Sequence, residues 1–300
     1  MNRYTKALLA IFIIALLAGV ALVWWPSPEK VQPEQLPVAA FPVPPRGANE
    51  AAPGVPASAP SILHPVDAIQ TAPAPLEMTL PALDGSDHVV RNALLDLITA
   101  KDMLQFLQLD QFVRHVVATV DNLPREHAPV MQWPVKPMPG RFSTGAGDDS
   151  HPLGPTTIHP DNSARYQSFV SFIASIDSAR AVALYVRLYP LFQQAYVELG
   201  FPNGYFNDRL VAVIDHLLQV PVQAGLLAVS RVEVKGPYKN VRPWVNYEFT
   251  DPALDALSAG QKMLLRAGPV NHRRLRTKLM DIRAHLTQTA LAKPVDPTPQ

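Results

Sequence analysis

The densest group of residues able to do chemistry is Asn203-Gly204-Tyr205-Phe206-Asn207-Asp208-Arg209, a turn carrying amide, phenol, carboxylate and guanidinium groups. It feeds a strongly apolar run, and Asp215 and His216 follow about two turns later. On a helix, residues seven apart share a face, so Asp208 lies below Asp215 and Arg209 below His216 on the neighbouring face. Tyr205, Asn207, Asp208, Arg209, Asp215 and His216 therefore form the one candidate binding cluster in the chain. Such a cluster has two readings: a ligand-binding or catalytic site, or a buried Arg–Asp network that fixes helix packing. The second is favoured, because a carboxylate beside an apolar helix needs a paired cation before it can be buried.

Other chemistries are absent from the pattern. There is no cysteine, which excludes disulfides, thiolate metal sites, a cysteine nucleophile and a lipidated cysteine anchor. No HExxH, EF-hand loop or Cys/His spacing occurs. Asp215 and His216 are adjacent, and neighbouring helical side chains point about 100° apart, so they cannot share one ion unaided. GAGDD at Gly145 has two glycines of a dinucleotide loop, lacks the third and follows no strand. Ser258 and Lys262 stand four apart on an expected helix, where a Ser–Lys pair could meet, but a lysine base needs burial and the surrounding positions are polar. Asp121-Asn122 reads as a helix C-terminal cap before Pro124. No catalytic residue, metal site or cofactor is assigned. With 26 basic and 25 acidic residues the net charge is +1, which provides no field for nucleic acid.

The elements that position these groups follow from apolar spacing. Val89, Val90, Ala93, Leu94, Leu97 and Ile98 mark an amphipathic helix after Asp84-Gly85-Ser86-Asp87. Asp110 is placed to cap a second, with Phe112, Val113, Val116, Val117 and Val120 on one face. From Pro124 to Pro160 the chain is rich in proline and glycine, a long excursion that points to surface function or disorder. Helices resume at Asp161, with Tyr166, Phe169, Val170 and Ile173 apolar, and after Asp177, where Pro190 predicts a kink or break. The helix from Asn207 or Asp208 is apolar nearly all round, hence central. VSRVEV and WVNYEF flank GPYKN and can pair as a short β-hairpin. Two helices close the chain, one from Asp251-Pro252 and one near Pro269. The last carries Leu275, Leu279, Ile282 and Leu286, with Arg273, Arg276, Lys278 and Arg283 elsewhere on its surface.

Ahead of these elements, Ala7–Trp25 is 19 residues without a charge, matching a hydrocarbon core of about 30 Å. Arg3 and Lys6 precede it, so the N-terminus is expected in the cytoplasm and everything after Trp25 outside. Gly19-Val20-Ala21 offers a signal-peptide cut, against which the apolar run is too long and continues past it. Many of the 32 prolines crowd the stretch from Pro26, whose composition cannot bury enough apolar surface to offset ordering entropy. The expected organisation is residues 1–25 as cytoplasmic tip and transmembrane helix, 26–82 as disordered proline-rich linker, 83–287 as a compact, mostly α domain, and 288–300 as disordered tail.

TVDNLP (119–124), YPLFQQAYVELGFPNGYFNDRLVAVIDHLL (189–218) and YEFTDPALDALSAGQKMLLRAGPVN (247–271) together resemble an uncharacterised bacterial family. Its members carry a domain of unknown function behind a membrane helix and proline-rich linker. The resemblance implies a Gram-negative envelope protein, single-pass in the inner membrane with its C-terminal domain in the periplasm, and transfers no activity to any residue. The expected function is a membrane-tethered interaction or scaffolding module that meets an envelope protein or cell-wall partner. The alternative is a cell-wall or small-molecule enzyme, or a ligand-binding domain, using the Asn207–Asp215 cluster.

Overall fold

The computed structural model of the chain describes residues 61–69, 80–145, 156–232 and 246–287. The membrane helix expected at Ala7–Trp25, most of the linker, the GPYKN turn and the tail 288–300 lie outside the described residues. Within them, nine α-helices and one small sheet form, so the domain is mostly α. The helices are α1 (Asp87–Leu95), α2 (Ala100–Phe106), α3 (Phe112–Asn122), α4 (Asp161–Ser175), α5 (Ser178–Glu198), α6 (Phe206–Leu218), α7 (Pro252–Asp255), α8 (Ala259–Arg266) and α9 (Pro269–Thr287). No single described helix is long and apolar enough to cross a membrane; α4 and α5 pass together by composition, yet meet at 77° and put Phe169, Val170 and Leu188 into the core.

α6 is the axis of the fold. Phe206, Leu210, Val213, Ile214 and Leu217 are each 0% exposed, as a run apolar on all sides requires. Each such side chain contributes about 1.5–3 kcal/mol on burial. Helices α3, α5 and α9 pack around it, and α9 also lies against α4 and α8. The cations of α9 are largely spent there. Arg276 donates to the carbonyls of Leu218 and Val220, Lys278 donates to that of Ile176 at 2.6 Å, and these serve the open ends of α6 and α4.

The hairpin forms between β2 (Ala228–Arg231) and β3 (Tyr247–Phe249), in antiparallel register Val229↔Phe249 and Arg231↔Tyr247. A third strand, β1 (Thr156–Thr157), pairs antiparallel with β2 on its other side and comes from the proline-rich excursion. The described part of that excursion sends several of its apolar side chains into the core while its polar residues stay at the surface. Trp133, Val135, Met138 and Phe142 are buried, and the Gln108 and Lys136 N–H groups bond Pro134 and Phe106 carbonyls at 2.8 and 2.9 Å. Extended backbone with alternate apolar residues is a strand pattern that proline merely limits to edges.

Three further expectations are corrected. Asp87, not Asp110, caps α3: its carboxylate accepts the N–H groups of Gln111 (2.9 Å) and Phe112 (3.2 Å), while Gln111 takes φ 47°. α5 continues through Pro190 as one helix, so of the kink or break expected there the break does not occur. Pro190 is exposed, so its ring lies on the solvent side of the helix. Residues 61–69 fall within the stretch read as linker, yet Val66 and Ile69 are 3% and 7% exposed against the helical core.

Candidate functional site

The mouth of α6 is built by its neighbour. Gln193 on α5 accepts the Phe206 N–H at 2.9 Å through Oε1 and donates to the Gly204 carbonyl at 2.8 Å, fixing the turn that presents Tyr205, Asn207 and Asp208. Those three side chains converge on the 61–69 segment. The Asp208 carboxylate accepts the N–H groups of Leu63 (3.0 Å) and His64 (2.7 Å), and the Tyr205 hydroxyl accepts that of Val66 (2.8 Å). Asn207, 0% exposed, donates to the His64 carbonyl at 2.8 Å. Anionic Asp208 also sits where the α6 dipole favours it. The ring of Tyr205 lies 5.4 Å from that of Tyr189, whose hydroxyl is held well above the usual phenol range, by burial first.

Arg209 turns the other way. Its Nε donates to Oδ1 of Asp121 at 3.0 Å and its Nη2 to the Asp121 carbonyl at 3.0 Å. Asp121 also pairs with Arg125, one turn on in the same chain segment. It is a buried carboxylate between two guanidinium groups, not the helix cap that its position before Pro124 suggests. Asp215 pairs through both oxygens with Arg283 of α9, at a half-exposed surface. Asp208, Arg209 and Asp215 thus each serve a different neighbour, and they do not pair with one another.

His216 reaches α8. Its Nε2 stands 3.0 Å from Ser258 Oγ, and its carbonyl accepts from Gln261 Nε2 at 2.9 Å. Burial, then Arg209, holds the imidazole below its ordinary pKa, so it is neutral near pH 7 and can accept the serine proton. A serine beside a neutral histidine is the geometry of an activated nucleophile, and a cleft of about 600 Å³ opens there. The surroundings assign the pair to structure instead. Ser258 Oγ accepts the Gln261 N–H in a capping box at the start of α8. The Ala259 and Gly260 N–H groups, the donors an oxyanion would need, are taken by the Arg125 and Leu123 carbonyls at 2.8 and 2.9 Å. Lys262 pairs with Asp255 at 3.3 Å, so the Ser258–Lys262 arrangement does not form. Gly260 permits this approach: a Cβ there would meet the Leu123 carbonyl at 3.1 Å. Among the described residues no three His, Asp or Glu side chains could hold a metal ion.

A second concavity was not visible in the sequence. A cavity of about 450 Å³ lies between the loop preceding β2 and the α8–α9 corner, with His272 on its wall. Gly268 makes the corner: its φ is +85°, and a Cβ would sit 2.7 Å from that of Ser163. Asn271 locks it by donating to the carbonyls of Ser163 and Ala267 at 2.8 and 2.9 Å. The only signal in the sequence is Ala267-Gly268-Pro269, a stop and restart between two helices.

With this arrangement in view, the comparison with known families is informative. The model of "Protein of unknown function (DUF3014)" matches residues 112–283, more than half the chain. The chain belongs to this family. The DUF3014 region runs from the start of α3 to Arg283, and so contains α6, the Asp121–Arg209 pair and the His272 cavity, while 61–69 and α1 lie before it. No curated protein and no solved structure matches the chain.

Proposed function

We propose that the chain is a membrane-tethered interaction module of the bacterial cell envelope. A single helix at Ala7–Trp25 holds it in the inner membrane with the N-terminus in the cytoplasm. A proline-rich spacer then carries the DUF3014 domain through the periplasm to an envelope protein or cell-wall partner. The observation that supports this reading is the employment of the polar cluster. Tyr205, Asn207 and Asp208 hold the end of the spacer, Arg209 holds α3, Asp215 holds α9 and His216 holds α8. Groups committed to packing offer a rigid surface to a partner, and a tether is a device for position.

Thermal melts of Asp208→Asn, Arg209→Ala and Asp215→Asn, beside complementation of a deletion strain, test it. Function is expected to fall only as far as stability does. Wild-type melting with complete loss of function in all three would make the cluster an active or ligand site and reinstate the enzyme reading.

A further inference from the structure

The α8–α9 corner is one-sided in charge. From Ala256 to Met280 the chain has six cations and no acid. Four of the six are engaged within the fold: Lys262 with Asp255, Arg266 over the Phe249 ring, Arg276 with the Leu218 and Val220 carbonyls, and Lys278 with that of Ile176. Arg273 and Arg274 are left over. Both are exposed, and among the described residues neither guanidinium has an ion pair or a hydrogen bond. Asp161 of α4 stands 3.4 Å from His159, which lines the cavity at this corner, so this acid already faces a histidine.

Beside the two free arginines the surface is apolar. Residues 221–227, between α6 and β2, carry no charge, and Leu226 among them is 65% exposed. Val270, in the first turn of α9, is 53% exposed and lines the same cavity as Leu226. Residues three and four apart share a helix face, so Arg273 and Arg274 stand one turn beyond Val270 on the solvent side. The loop is held at both ends: Arg276 binds the Leu218 and Val220 carbonyls before it, and Val229 after it is buried in β2. Large apolar side chains fixed in water at one rim, with unpaired cations next to them, mark a surface that something covers.

We propose that this face docks on an anionic lipid surface, with Leu226 and Val270 entering the boundary between headgroups and acyl chains and Arg273 and Arg274 pairing with lipid phosphates. Apolar side chains at that boundary and cations just outside it are the layout of an interfacial binder. A protein partner of the same charge needs hydrogen bonds to set its register, and residues 221–227 offer one polar side chain, Gln223. A lipid surface requires no register. The face is separate from the tether and from the network around α6.

Because the chain has no cysteine, Ala224→Cys gives one attachment point in this loop for an environment-sensitive dye. The labelled full chain is placed in nanodiscs of phosphatidylcholine, with or without phosphatidylglycerol, that contain lipids spin-labelled near the top of the acyl chain. Co-elution with the disc reports the membrane helix separately from docking. The dye is expected to be quenched in discs containing phosphatidylglycerol and about tenfold less in phosphatidylcholine alone, or after Arg273→Glu with Arg274→Glu, since both cations then repel the surface. Leu226→Gln, at an exposed position, should cut quenching severalfold and leave the melting temperature unchanged. A dye on Leu104→Cys, an exposed position on α2, should stay unquenched. Equal quenching in the two lipid compositions, no change on reversing the two arginines, or equal quenching at position 104 would each overturn the proposal. So would absence of quenching in either lipid, which would leave the face to an acidic protein.

Discussion

Asp121 is 4% exposed at its side chain and lies between Arg125 and Arg209, which are 55% and 32% exposed. The arginines can find water if the carboxylate is lost, whereas the carboxylate cannot. Removing one partner of a buried pair costs about 3–5 kcal/mol, and Arg209→Ala is expected near the lower end because Arg125 remains. Asp121→Asn in the Arg209→Ala background should then restore part of the loss, because it neutralises the stranded charge. Denaturant melts of the two single variants and the double decide this, and additive losses would refute it. His272 provides a second expectation. Burial, with Arg276 and Arg273, lowers its pKa to about 4. An unfolded chain takes up the proton near pH 6.5 and the folded one only near 4, so the folded state's advantage is complete above 6.5. It is lost as pH falls through that window, by on the order of 3 kcal/mol. Comparing unfolding free energies at pH 7 and 4.5 should show His272→Leu flattening this slope. Neither residue was legible. The partner of Asp121 stands 88 positions away in the chain, and one acid in an apolar helix looks the same whether it caps or pairs.

At the scale of elements, apolar spacing located most helices and both strands of the hairpin, because burial on one face writes its period into the sequence. The docked 61–69 segment was illegible for the opposite reason. Three of its four hydrogen bonds to α6 use its own N–H groups, and backbone donors have no side-chain signature. Its four bonds and the buried Val66 and Ile69 give an expectation: amide exchange at Leu63, His64 and Val66 is slow in the full chain. Asp208→Ala should speed exchange at Leu63 and His64 by about tenfold or more, since each lost bond to a charged acceptor is worth about 1.5–3 kcal/mol. Fast exchange at these amides in the unaltered protein would show that the segment does not stay docked. The same accounting corrects Asp110: a carboxylate 24 residues upstream of Gln111 can cap α3 better than its neighbour when the chain folds back.

For the whole molecule, Arg3, Lys6 and the uncharged run to Trp25 predict which side of the membrane the domain occupies. An alkaline phosphatase fused after Gln300 should be active and a cytoplasmic reporter there silent; the reverse pattern would remove the envelope from every reading above. In a chain so anchored, the contact of residues 61–69 with the mouth of α6 has a mechanical meaning. Among the described residues, four hydrogen bonds tie 61–69 to the start of α6, and a pull arriving from the N-terminal side would load them. Their release would free residues 61–69, roughly 30 Å of extended chain. Such a joint would yield length under tension and re-engage when slack returns.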